Sequence, residues 1–191
     1  MVKSGQCIQR KWELIAMMAQ VKHLRPSIVL EIGTYRGGSL RCWSSICPSS
    51  TTFVSIDLPW EATREVDPAA DIERMRRFLK SGQSFHWLRR DSHADATKDE
   101  LLRILGARKV DFLFIDGDHS HDGVRRDYEL YNQLVRTGGL IAFHDIVPNK
   151  KHPDINVHLF WAEVKRQRRV NELVDANSLE ESWGGIGVVH V

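Results

Sequence analysis

Three aspartates and two histidines fall within the run Asp116-Gly117-Asp118-His119-Ser120-His121-Asp122. A second acid–imidazole pair, His144-Asp145, closes the apolar run Gly139-Leu140-Ile141-Ala142-Phe143. Each of these residues alone reads as a turn former or a strand-end cap. As a set they read differently. Two carboxylates and an imidazole brought to one rim suit a divalent cation. Oxygen ligands favour Mg2+ or Mn2+, and an added imidazole admits Zn2+ or Fe2+.

A glycine-bearing loop stands far upstream, in Glu31-Ile32-Gly33-Thr34-Tyr35-Arg36-Gly37-Gly38-Ser39. Glycine permits positive φ and lets backbone approach a ligand closely. A helix opening here offers free N–H groups, with Ser39 the expected N-cap. The spacing is G-x-x-x-G-G, which differs from the G-x-G-x-x-G of dinucleotide folds. Glu31 is a poor companion for a phosphate and a good one for a cationic ligand. Asp57 ends the next apolar run, where an acid accepts hydrogen bonds from ribose hydroxyls. Asp91-Ser92 ends a third run and is a candidate for an adenine edge.

The elements that must position these residues alternate along the chain. Strands are expected at Ser27–Ile32, Thr52–Leu58, Phe85–Arg90, Val110–Ile115 and Gly139–Phe143, then near Val170–Val174 and Gly185–Val191. Helices are expected at Ser39–Cys47, Ala69–Lys80, Lys98–Leu105, Gly123–Val135 and Val157–Arg168. Residues 7–22 form a further helix, with an apolar face of Ile8, Trp12, Ile15, Ala16, Met18 and Ala19. This order implies an α/β, doubly wound, seven-stranded and mostly parallel sheet. The last two strands have no helix between them in this reading, so one of them runs antiparallel. Ligands of such sheets bind beyond the carboxyl ends of the strands, where the candidate residues fall.

Length and composition narrow the classes. The chain has 191 residues, 42% hydrophobic and 27% charged, which suits a globular domain. One domain is expected over 1–191, with an N-terminal helix in 1–25 and a catalytic core in 26–191. A net charge of +2 is too balanced for binding of nucleic acid through a bulk field. No run reaches the roughly 20 apolar residues of a membrane span. Met1–Lys11 lacks an apolar signal core. Cys7, Cys42 and Cys47 form neither a CxxC nor an even set, as expected of reduced thiols in a cytoplasmic protein.

The segments VLEIGTYRGG and VSIDL, with the strand order, resemble the class I S-adenosylmethionine-dependent methyltransferases. The resemblance implies a Rossmann-like fold with the methionine end of the cofactor on Glu31, Gly33, Thr34, Tyr35, Gly37 and Ser39. It puts the ribose on Asp57 beside Leu58, and the rest of the cofactor near Asp91, Ser92 and Asp116. D-G-D-H-S and the later H-D resemble more narrowly the cephalosporin hydroxylase-like and macrolide-sugar O-methyltransferases, relatives of catechol O-methyltransferase. That likeness implies a metal, Mg2+ or another divalent cation, on Asp116, His144 and Asp145. His144 departs from the pattern, which has a carboxylate or amide there. The family's general base lies three residues after the first metal ligand, here His119, with His121 the runner-up. The implied reaction is methyl transfer to a hydroxyl of a small molecule: a sugar, a catechol-like compound or a natural-product scaffold. So short a chain leaves little sequence for a substrate lid, and a homo-oligomer is expected to complete acceptor recognition.

Other residues read first as structural: Asn149 and the loop Pro148–Pro153 for the acceptor pocket, Tyr35 and Arg36 for closing over the ligand, Trp60 for covering the nucleotide. Three other functions compete with this reading. A nicotinamide-dependent oxidoreductase needs the G-x-G-x-x-G that is missing. A metallohydrolase needs H-x-H-x-D-H, and the chain has H-S-H-D-G. A binding module on the same fold keeps the cofactor loop and lacks catalysis.

Overall fold

The computed structural model describes residues 7–59 and 68–191. Trp60 lies outside them. The elements run α1 (Lys11–Leu24), β1 (Ile28–Ile32), α2 (Gly38–Ile46), β2 (Thr52–Asp57), α3 (Pro68–Arg76), β3 (Ser84–Arg89), α4 (Asp95–Leu105) and β4 (Val110–Ile115). They continue with α5 (His121–Tyr131), β5 (Val135–His144), α6 (Val157–Val164), β6 (Val170–Leu173), α7 (Ala176–Glu181) and β7 (Ile186–His190).

One seven-stranded sheet has the order β3-β2-β1-β4-β5-β7-β6. The strands pair in parallel from β3 across to β5. β7 is the antiparallel strand, inserted between β5 and β6. The central strands are buried on both faces, so they read as unbroken apolar runs. Their side chains alternate between two cores. Leu30, Ile32, Leu113 and Ile115 pack with Leu101, Val124 and Phe160 from α4, α5 and α6. Val29, Phe112 and Phe114 pack with Met17, Trp43 and Met75 from α1, α2 and α3. Chain order reverses between β1 and β4, the switch point at which such sheets bind ligands.

Several expectations shift. α1 begins at Lys11, and Leu14, Met17 and Val21 are its buried stripe. Trp12 and Ile15 of the expected face are 62% and 44% exposed. Buried Glu13 anchors this helix. It accepts from Gly185 N at 2.8 Å and Asp175 N at 3.1 Å, and from the Ser178 hydroxyl. The cap of α2 is Gly37, at φ 76°, and Ser39 lies inside the helix. α5 stops at Tyr131, short of Val135, because Val135 pairs with Val110 and starts β5. A helix, α7, does separate β6 from β7. Asp175 caps it, accepting from Ser178 N at 3.1 Å.

Candidate functional site

The loop after β1 is shaped by what lies beneath it. Gly33 has φ 84°, and its N–H donates to Ile56 O at 2.9 Å. A Cβ there would stand 2.0 Å from Asp116 O, so only glycine fits. The turn closes with Gly37 N on Thr34 O at 2.8 Å. Glu31 is buried under this loop. It accepts from Thr34 Oγ1 at 2.9 Å, Trp43 Nε1 at 3.1 Å and the Ser39 hydroxyl. Burial pushes its carboxyl up to about 7, against those hydrogen bonds.

Asp57 reaches back over the same loop and accepts Tyr35 N–H at 2.5 Å. Backbone N–H groups of Leu58 and Thr34 also point to it. Burial raises its pKa, and the three donors restrain the rise. At the end of β3, Asp91 accepts from His93 N at 2.8 Å. Ser92 O takes the Tyr131 hydroxyl at 2.5 Å.

The second half of the site sits at the ends of β4 and β5. His144 Nδ1 lies 3.2 Å from Asp116 Oδ1 and 3.4 Å from Asp145 Oδ2. His119 Nδ1 is 3.0 Å from the same Asp145 Oδ2, and its Nε2 is 4.0 Å from Asp116 Oδ1. Asp145 adopts φ 60°, a left-handed conformation that Asp tolerates and that clusters at functional sites. Burial disfavours charge on His144, yet the two carboxylates hold its pKa well above 6.5. Burial likewise opposes ionised Asp145, but hydrogen bonds from His119 and His144 hold it far below the usual carboxylate range. The hydrogen bond to Asp145 raises His119.

Both halves open into one cleft of about 820 Å3. Of the residues singled out in the sequence, Gly33, Thr34, Tyr35, Ser39, Asp57, Leu58, Asp91, Ser92, Asp116, His119, His144 and Asp145 line it. Glu31 and Gly37 do not. Glu31 lies beneath the loop instead of facing a cation, and Gly37 packs beside Met75 and Phe78. His121 turns away to Glu163 Oε1, 2.9 Å from its Nε2. Asn149 borders the cleft and accepts from Lys151 N and His152 N, each at 3.0 Å. Gln9, His93, His152 and Trp183 are further wall residues that carry no motif. His93 Nε2 stands 3.3 Å from buried Asp127, whose carboxyl burial pushes up to about 6.

One ligand atom each from Asp116, His144 and Asp145 lies within 4.8 Å of the others. The 3.2 and 3.4 Å separations at Nδ1 suit neighbouring ligands of an ion held at about 2.1 Å. This donor set of two oxygens and one nitrogen fits a divalent cation.

Residues 30–146 match the family model Methyltransf_24, described as a methyltransferase domain. The uncharacterized protein R132 of Acanthamoeba polyphaga mimivirus is 29% identical over 126 residues, covering 66% of this chain and 54% of that protein. The chain thus spans about half the length of this curated relative. The O-methyltransferase of Bacillus cereus, solved with SAH, aligns at a TM-score of 0.66 and 17% identity over 95% of this chain and 82% of that one. TomG of Streptomyces achromogenes, an O-methyltransferase involved in tomaymycin synthesis and solved with SAM, gives 0.67 and 16% over 97% and 81%. At those identities the likeness is one of fold. The family match runs from the last strand residues before the glycine loop to just past the His144–Asp145 pair, and by it the chain belongs to this family of methyltransferase domains.

Proposed function

We propose that the protein is an S-adenosylmethionine-dependent O-methyltransferase acting on a hydroxyl of a small molecule, with a divalent cation assisting. The observation that carries this reading is the shared cleft. The glycine loop with Asp57 and the cluster of Asp116, His119, His144 and Asp145 open into the same space.

Gly33 and Tyr35 shape a floor that a ligand backbone can approach closely, and Asp57 offers carboxylate oxygen toward ribose hydroxyls. Methyl transfer to oxygen is an in-line displacement, to which alignment alone contributes roughly 7–11 kcal/mol. The sulfonium supplies the methyl group and leaves as a thioether carrying the C–S electron pair. The chain's part is to align the acceptor oxygen and remove its proton. Asp145 orients His119 through Nδ1, which leaves Nε2 of the neutral ring to take that proton. Asp116, His144 and Asp145 would hold the cation, which lowers the pKa of a hydroxyl bound to it. His144 Nε2 is buried without a partner among the described residues. Were His144 to hold a cation through Nδ1, this nitrogen would carry the ring proton with no acceptor among the described residues, so affinity is expected to be modest. The nitrogen donor tilts the choice from Mg2+ toward Mn2+, Fe2+ or Zn2+. Free thiols at Cys7, Cys42 and Cys47 suit the cytoplasm. Among the described residues, no helix is long and apolar enough to cross a membrane.

The test is calorimetric titration with S-adenosylhomocysteine, with and without Mn2+ or Mg2+, on wild type, Asp57→Ala and Asp116→Ala. Binding that Asp57→Ala weakens supports the cofactor reading. A metal response that Asp116→Ala abolishes supports the metal reading. Wild type that binds neither S-adenosylhomocysteine nor metal refutes both.

A further inference from the structure

Cys7, Ile8 and Gln9 precede α1 and form part of the cleft wall. Cys7 Sγ lies 3.3 Å from Cys42 Sγ on α2. The two residues are 35 positions apart, both are half-buried, and both are free thiols. At that separation one thiol donates its S–H to the other sulfur. The packing of α1 against α2 keeps them together, since Leu14 and Met17 share a core with Leu40 and Trp43.

A disulfide holds its sulfurs at about 2.05 Å, so this pair must close by about 1.3 Å. Cys7 sits in irregular backbone ahead of α1, outside the helical bonds that fix Cys42. The local charges divide the roles of the two sulfurs. The hydrogen bond from Cys7 and the charge of Arg41 favour the thiolate of Cys42, against burial and Glu31. The same hydrogen bond and burial push the Cys7 thiol up, so it keeps its proton. Cys47 is different. It is 1% exposed, and burial pushes its thiol up to about 12.

We propose that Cys7 and Cys42 are a site of reversible oxidation, where a peroxide converts the thiol pair into a disulfide that fastens the cleft wall to α2. The Cys42 thiolate attacks one oxygen of hydrogen peroxide. The O–O bond breaks, leaving a sulfenic acid on Cys42 and a hydroxide. That hydroxide takes the Cys7 proton and becomes water. The Cys7 sulfur then attacks the Cys42 sulfur, the S–S bond forms and the S–O bond breaks. Overall, two thiols give up two electrons and two protons, and one peroxide becomes two waters. The fastened segment is the one from which Gln9 Nε2 donates to Asp116 Oδ2 at 2.6 Å, so the oxidation acts beside the candidate metal cluster. Neither the cofactor reading nor the metal reading above is needed for this chemistry.

The experiment treats native protein with hydrogen peroxide, alkylates the remaining thiols and maps the digested peptides by mass spectrometry. The expected product is a Cys7–Cys42 cross-link, two hydrogens lighter than the thiol pair, with Cys47 alkylated. Dithiothreitol should reverse it. Oxidised wild type should also unfold at higher urea than reduced wild type, because a native cross-link closes a long loop in the unfolded chain. Cys7→Ser should lose both the cross-link and the shift. A cross-link through Cys47, a link between two chains, no cross-link, or a bond that lowers the urea midpoint would each overturn the pairing.

Discussion

His119 Nδ1 and Asp145 Oδ2 are 3.0 Å apart, so one carboxylate oxygen serves both the candidate base and the candidate metal cluster. With Nδ1–H donated to Asp145, the proton-accepting nitrogen of the neutral ring is Nε2. His119→Ala is expected to lower kcat by about 10^2- to 10^4-fold, with S-adenosylhomocysteine affinity retained. The same hydrogen bond raises the His119 pKa in the metal-free chain. A base works deprotonated, so kcat should fall on the acid side as the ring takes up a proton. A flat pH–rate profile in wild type would remove His119 from this role.

Asp57 holds Tyr35 N–H at 2.5 Å and so fixes the loop as well as facing the cleft. Asp57→Ala is expected to weaken S-adenosylhomocysteine binding by about 10- to 100-fold. Unchanged affinity in calorimetry would exclude Asp57 from the cofactor site.

Gly33 combines φ 84° with a backbone carbonyl 2.0 Å from where a Cβ would sit. Gly33→Ala is expected to cost about 3 kcal/mol or more in unfolding free energy. Urea denaturation measures it, and cofactor binding should fall as well. A variant within about 1 kcal/mol of wild type would mean that the loop relaxes freely.

Glu31 gives a stability signature in pH. Its carboxyl is pushed up to about 7 by burial, against an ordinary 4.5. The folded chain keeps a proton that the unfolded chain releases between those values. This contribution is fully present below pH 4.5 and is lost as pH rises through 7, by about 3 kcal/mol. Unfolding free energy should therefore decline from pH 5 to 8, and Glu31→Gln should flatten the decline. Asp127, pushed up to about 6, adds a slope of the same sign that the variant retains. Equal slopes in urea titrations of both proteins would contradict the protonated state of Glu31.

The convergence of Asp116 with His144 and Asp145 was legible from the chain because β4 and β5 are adjacent parallel strands. Residues at their ends must then meet at one rim. β4 was readable to its bounds, Val110–Ile115, since a strand buried on both faces is an unbroken apolar run. Glu31 was harder. Its neighbours along β1 fix the residue types but not the depth, and Trp43, twelve positions on, draws the carboxylate inward. Gln9 was not readable at all. Its partner Asp116 is 107 positions away, and an amide carries no spacing rule. The α7 helix did leave a signal in Asp175-Ala176-Asn177-Ser178, where the Asp side chain caps the Ser N–H.

The insertion of β7 between β5 and β6 bears on how the chain is made. Synthesis proceeds at about 5–20 residues per second, and residues 186–190 emerge after the other described strands of the sheet. Until then β5 presents an open edge, the kind of template that recruits foreign strands. The edge that closes last belongs to the strand carrying His144, which Ile186 pairs, so one late pairing both covers that edge and braces the strand that carries half of the candidate cluster.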